Sequence, residues 1–169
     1  MARLNLTAVA SPPPAATEHA VSGLPRSILF LCGQNAIRSP MAELLARRVL
    51  PASTFVASAG VRTGERDPFV DAVLAEAGLS LGNRHPRSLD ELEDDYFDLI
   101  VTLAPEAHHR ALEMTRSMAI DVEYWPTADP TTATGTREQI LSAYRDVRER
   151  LARRIAERFA PLAASPPRE

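Results

Sequence analysis

Lysine is absent from this chain: all 19 basic side chains are arginine, set against 22 acidic ones for a formal charge of −3. A nucleic-acid binder usually leans basic, so that class loses weight. Cysteine is nearly absent too, and a single Cys32 excludes an intramolecular disulfide. Nowhere is there a run of about 18 apolar residues, so no membrane span is expected. The apolar residues of Leu4 to Ala10 are broken by Asn5 and Thr7 and run into Pro12-Pro13-Pro14, which is not a signal-peptide pattern. The expectation is a soluble cytoplasmic protein. Its 169 residues amount to about one domain, able to hide roughly 70% of its unfolded surface without metal or disulfide staples.

Residues 1–24 are rich in Ala, Pro, Ser and Thr, with few large apolar groups to offset the cost of ordering the backbone, and are expected to form a flexible arm. Residues 161–169 are expected to be a frayed tail. Between them, residues 25–160 alternate short β-rich runs with helical ones. Ser27 to Leu31, Thr54 to Ala57 and Leu99 to Leu103 read as strands covered on both faces. Ile120 to Tyr124 alternates, as an edge strand does. Ser39-Pro40 and Asp67-Pro68 read as helix caps followed by first-turn prolines. Ser88 to Glu91 and Thr136 to Gln139 have capping-box spacing. The latter opens a long helix whose inner face is expected to be Ile140, Tyr144, Val147, Leu151 and Ile155. Strands alternating with helices imply right-handed crossovers, a parallel sheet and a three-layer α/β/α fold.

In open α/β sheets ligands bind beyond the carboxyl ends of the strands, and the first strand delivers the chain into Cys32-Gly33-Gln34-Asn35-Ala36-Ile37-Arg38-Ser39. Small residues there allow backbone N–H groups to converge on an anion, and the next helix adds its positive end. Arg38 can grip two oxygens of a tetrahedral oxyanion. A thiol at the base of such a cup is expected to act as thiolate, with Ser39 hydrogen-bonded to the sulfur. It can attack a bound phosphoryl group in line. Asp129-Pro130, on the loop after the edge strand, offers a carboxylic acid for the leaving group and a base for the water that follows. Unlike Asp67-Pro68, it precedes no helical periodicity.

Residues 28 to 43, Ile-Leu-Phe-Leu-Cys-Gly-Gln-Asn-Ala-Ile-Arg-Ser-Pro-Met-Ala-Glu, resemble the low-molecular-weight protein tyrosine phosphatases and the related arsenate reductases. Ser58-Ala59-Gly60, Asp67-Pro68, Arg87, Phe97-Asp98-Leu99-Ile100 and Asp129-Pro130 extend the similarity over about residues 26–160. The resemblance implies a four-stranded parallel sheet in the order 2-1-3-4, a phosphocysteine intermediate, and neither metal nor organic cofactor. By motif position it makes Cys32 the nucleophile, Arg38 the phosphate clamp, Ser39 the thiolate stabiliser and Asp129 the general acid. Asn35 would hold the loop in a left-handed conformation, bonded to Ser58. The chain departs from the family pattern in five places. Gly33-Gln34 stands where members carry Leu-Gly or Thr-Gly, and Ile37 where many have a second cysteine. Ala36 replaces the Ile, Thr or Ser of the tyrosine phosphatases, arginine phosphatases and arsenate reductases. Thr131-Thr132 replaces the aromatic pair of a phosphotyrosine slot, and Arg84 a histidine.

The leading expectation is a phosphomonoester hydrolase of this type, acting on a phosphorylated protein or small phosphomonoester. The alternatives are an arsenate reductase using an external thiol and a non-catalytic phosphate-binding module. Adjacent His108 and His109 point about 100° apart on a helix and are expected at the surface, not on a metal. The arginines from 145 to 158 are expected on a solvated helix face, with Asp146 and Glu149 four residues before Arg150 and Arg153. Tyr124 and Trp125 could wall the substrate slot or close the core.

Overall fold

A computed structural model describes residues 23–163. Strands β1 (Ser27–Cys32), β2 (Phe55–Gly60), β3 (Leu99–Thr102) and β4 (Asp121–Tyr124) form one sheet in the order β2-β1-β3-β4, every pairing parallel. The helices are α1 (Arg38–Val49), α2 (Pro68–Glu76), α3 (Pro105–Met114) and α4 (Arg137–Ala163). Successive strand residues face opposite ways, so β1 divides its side chains between two cores. Ile28, Phe30 and Cys32 join residues of α1, α2 and α4, while Leu29 and Leu31 join Ala107 and Ala111 of α3. This is the expected three-layer arrangement, with Cys32 on the α1 face.

Most helix signals operate as expected. Asp67 Oδ1 accepts from Phe69 N at 2.9 Å. Gly78, just past α2, has φ +72°, a conformation that suits a residue without a Cβ. Thr136 and Gln139 exchange the two bonds of a capping box. Ser88 and Glu91 do so as well, around a single 3₁₀ turn, Leu89–Glu91.

Ser39 differs. Helix α1 begins at Arg38 behind Ile37 and has no side-chain cap, because the Ser39 hydroxyl is turned into the core beside Cys32. Asp129-Pro130 differs too, since Asp129 caps a 3₁₀ turn, Pro130–Thr132. Ile140 is only partly buried, and the inner face of α4 uses Leu141 in its place. The arginines of α4 do not simply line a wet face. Arg145 shares its Nε hydrogen between both oxygens of Glu76 and bonds Glu138 through Nη1, Arg148 reaches Val73 O, and Arg158 pairs with Glu123, tying α4 to α2 and β4.

Ordered chain also extends past both expected limits. Leu24, within the expected arm, packs on the core, and α4 continues through Pro161 to Ala163. A proline this near a helix end removes only one hydrogen bond. Phe159, fully buried one turn earlier, holds the segment against Trp125. The rest of the expected arm, residues 1–22, and residues 164–169 lie outside the described residues.

Phe159→Ala should therefore lower stability by about 3–4 kcal/mol, the usual cost of deleting a buried aromatic ring. Urea unfolding followed by Trp125 fluorescence checks it, and a loss under 1 kcal/mol would mean the end of α4 does not belong to the core.

Candidate active site

The chain leaves β1 at Cys32 and turns through residues 33–37 into α1. This loop is fixed from β2 and its extension. Val61 N donates to Cys32 O, Arg62 N to Gly33 O and Gly64 N to Gln34 O, all at 2.9–3.0 Å. Gly60 makes the close approach possible: a Cβ there would lie 2.6 Å from Gln34 C and 2.7 Å from Asn35 N. Asn35 sits at the turn with φ +57°, in the left-handed region where a short amide side chain is tolerated.

Cys32 is 2% exposed. Its Sγ lies 2.9 Å from Ser39 Oγ. Asn35 Nδ2 donates to Ser39 Oγ at 2.9 Å and to Ser58 Oγ at 3.0 Å, while Asn35 Oδ1 accepts from Arg87 N. Ser58 in turn donates to Glu43 Oε1 at 2.9 Å. Glu43 is fully buried in α1, and its carboxylate is forked by Arg84, at 2.5 and 2.6 Å, and approached by Arg47 at 3.0 Å. The whole run is satisfied: among the described residues no buried side-chain N or O lacks a partner.

A polar cavity of about 140 Å³ is lined by Cys32, Gly33, Gln34, Ala36, Ile37, Arg38, Arg62, Glu106, Asp129 and Thr131. Arg38 is half-buried and anchored by Nη1 to Thr127 O at 3.0 Å, which ties its guanidinium to the loop carrying Asp129. Asp129 is exposed. Partial burial pushes its carboxyl up, but hydrogen bonds from the Thr131 hydroxyl and N–H, with the charge of Arg38, outweigh that and leave it below the ordinary aspartate value. A resting carboxylate there is the base form, and a bound dianion would favour the protonated one.

Sequence reasoning placed Cys32, Arg38, Ser39, Asn35, Ser58 and Asp129 at the site, and the structure brings them together. Trp125 is buried in the core, between Phe30 and Phe159, and Tyr124 stacks on His108. Neither lines the cavity holding Cys32. His109 is exposed as expected, but His108 is half-buried, bonded to Thr102 Oγ1 as well as stacked. Sequence reasoning missed Glu43, Arg84, Arg62 and Glu106. For Glu43 a signal existed: Ser39, Glu43 and Arg47 follow at intervals of four along α1, a polar line beside the apolar Met41, Leu44 and Leu45, with Asn35 four residues before it in the loop.

A cysteine and an arginine thus line one polar recess beyond the end of the first strand. The chain belongs to the low molecular weight phosphotyrosine protein phosphatase family, whose model matches residues 27–164. An arsenate reductase of Bacillus subtilis is 32% identical over 130 residues, covering 77% of this chain and 92% of that protein. The tyrosine phosphatase amsI of Erwinia amylovora superposes with a TM-score of 0.65 at 23% identity, over 84% of this chain and 95% of that one. An arsenate reductase in its oxidized state gives 0.65 at 20% identity, over 81% and 98%.

Arg84→Met should destabilise the fold by about 3 kcal/mol, because it removes the forked partner of a buried carboxylate. Urea denaturation tests this, and an unchanged midpoint would mean Arg47 and Ser58 suffice. Thr131→Val should raise the Asp129 titration by deleting the hydroxyl donor while keeping the backbone one. An acid-dependent step falls as pH rises through that titration, so its basic limb should move to higher pH. Carboxyl ¹³C NMR of Asp129 measures the shift directly, and a downward move would contradict the assignment.

Proposed function

We propose that this chain reduces arsenate from a single cysteine, with external thiols supplying the electrons. The observation that carries the reading is the recess itself, lined by Cys32, Arg38 and the small Ala36, with Thr131 at a position of the aromatic pair expected of a phosphotyrosine slot. Such a cup suits a free oxyanion better than a bulky aryl ester. The arsenate reductases at about 32% identity support the same choice.

In this reading Cys32 Sγ attacks arsenic and forms an S–As bond. One As–O bond breaks, and its oxygen takes a proton from Asp129 and leaves as water. Arsenic is still pentavalent at that point. An external thiolate then attacks Cys32 Sγ, a disulfide forms, and the S–As electron pair stays with arsenic, which departs as arsenite. A second external thiol cleaves the mixed disulfide and restores Cys32. Cys32 is the only cysteine in the sequence, so no internal disulfide relay is available. The Cys32–Ser39 contact lets the hydroxyl donate to the sulfur when it carries charge, and Arg38 holds the anion's equatorial oxygens.

A second reading, phosphomonoester hydrolysis, is favoured by Asp129 in the same cavity. Cys32 attacks phosphorus, Asp129 protonates the leaving oxygen, and the carboxylate then activates the water that frees phosphate. This route needs no reductant.

Two assays on one set of proteins separate the readings: arsenate-dependent oxidation of a low-molecular-weight thiol or a glutaredoxin, and release of phenol from an aryl phosphate. Cys32→Ser should abolish either activity, and Asp129→Asn should lower it by about 10²–10⁴. Thiol oxidation that depends on arsenate and Cys32 establishes the first reading. Phenol release with a phosphate adduct on Cys32 and no thiol oxidation replaces it with the second. Oxyanion binding without turnover would overturn both and leave a binding module.

A further inference from the structure

We propose that Arg62 is a second oxyanion ligand of the cup, parked on Glu106 at rest and drawn onto the anion when one binds. The inference rests on the oxyanion site of the preceding subsection and adds a residue that determines how tightly it binds.

The backbone puts Arg62 at the lip. Its N–H bonds Gly33 O and that of Val61 bonds Cys32 O, so the segment leaving β2 is laced to the residues that carry the sulfur. The guanidinium then forks onto Glu106 in the first turn of α3, Nη1 to Oε2 at 2.5 Å and Nη2 to Oε1 at 3.3 Å. Both side chains line the same cavity as Cys32 and Arg38.

Gly33 is the space in which this pair sits. A Cβ at that position would lie 2.2 Å from Glu106 Oε1 and 3.7 Å from Arg62 Nη2, so any side chain would push Glu106 aside. Charge agrees with geometry. The Arg62 guanidinium is held above its ordinary value chiefly by the hydrogen bonds it donates to Glu106 and by that carboxylate's charge, with a smaller contribution from the charge of Cys32.

The pair is also easy to exchange. Arg62 is 55% exposed and Glu106 42%, and water competes well for an ion pair that open. A tetrahedral anion in the cup offers the same planar fork a second pair of oxygens, flanked by Arg38 and the loop amides. Glu106 and the anion therefore compete for one guanidinium. Removing the arginine should weaken anion binding, and removing the carboxylate should strengthen it. A pair that merely staples the segment after β2 to α3 makes no such distinction, since losing either member breaks the same contact.

The test uses inorganic phosphate and needs no turnover. Alkylation of Cys32 by iodoacetamide is followed by intact mass as phosphate is titrated, and the half-protecting concentration is read for the parent, Arg62→Ala and Glu106→Gln, with thermal unfolding confirming each fold. Arg62→Ala should raise that concentration about tenfold, the loss of one charged hydrogen-bonding partner. Glu106→Gln should lower it several-fold. Arg62→Gln serves if the alanine variant fails to fold. Shifts of the same sign, or none, in a parent that phosphate does protect would overturn the assignment of Arg62 alone. A parent that phosphate fails to protect would overturn the oxyanion site with it.

Discussion

Glu43 carries a carboxylate into a part of the fold that water does not reach, and an unpaired charge there would cost several kcal/mol. The fork from Arg84, the contact from Arg47 and the Ser58 hydroxyl remove that cost. Because a carboxylate only accepts, Ser58 has to donate to it, and its oxygen is left to accept from Asn35. The Arg87 amide fixes which way the Asn35 amide points, since Oδ1 must face it. Both Nδ2 hydrogens are then directed at Ser58 and Ser39. Ser39 consequently receives a hydrogen, and its own is free to go to Ala59 O at 3.2 Å or to the sulfur at 2.9 Å. A charge far from the cavity thus sets the polarity of the hydroxyl that meets Cys32.

The sheet order makes this assembly local. β1 is central and parallel to β2 and β3, so the segments that follow all three emerge at one end, where the loop from Cys32 receives hydrogen bonds from residues 61, 62 and 64. β4 delivers Thr127 and Asp129 to the same end from the edge. Arg38 bonds Thr127 O, which ties its guanidinium directly to the loop carrying Asp129. The loop itself is rigid for a steric reason: Gly60 lets two backbones meet at a separation that no Cβ permits.

What could be read in the amino-acid order follows from how far each signal reaches. The strand periods, the Asp67 cap and the Cys32-to-Ser39 segment are local, and the structure realises them at nearly the expected positions. Ser39 was ambiguous because the same residue suits a helix cap and a partner for sulfur, and only burial decides between them. The capping role of Asp129 is invisible in the sequence because a cap on a single 3₁₀ turn leaves no periodicity behind it. Arg84, 41 residues from Glu43, and Glu106, 44 from Arg62, form their pairs through tertiary contact, which no spacing rule encodes. The end of α4 was obscured by Pro161, whose helix-breaking tendency is outweighed by the burial of Phe159.

The lack of lysine has a consequence at the site. Forked contacts hold Glu43 to Arg84, Glu106 to Arg62 and Asp71 to Arg66, and a planar guanidinium supplies two parallel donors to each where an ammonium supplies a point charge. A guanidinium also keeps its proton at any pH a protein tolerates. The cations around the cup, Arg38 and Arg62, and those on Glu43, Arg84 and Arg47, are therefore constant charges. Each can change only by exchanging one oxyanion for another. For Arg84 on a buried carboxylate such exchange is blocked, since leaving would strand the charge of Glu43. For Arg62 on an exposed one it is open. The same chemical pair therefore serves as a fixed support on the core side of the loop and as an exchangeable contact on its solvent side, and burial alone decides which.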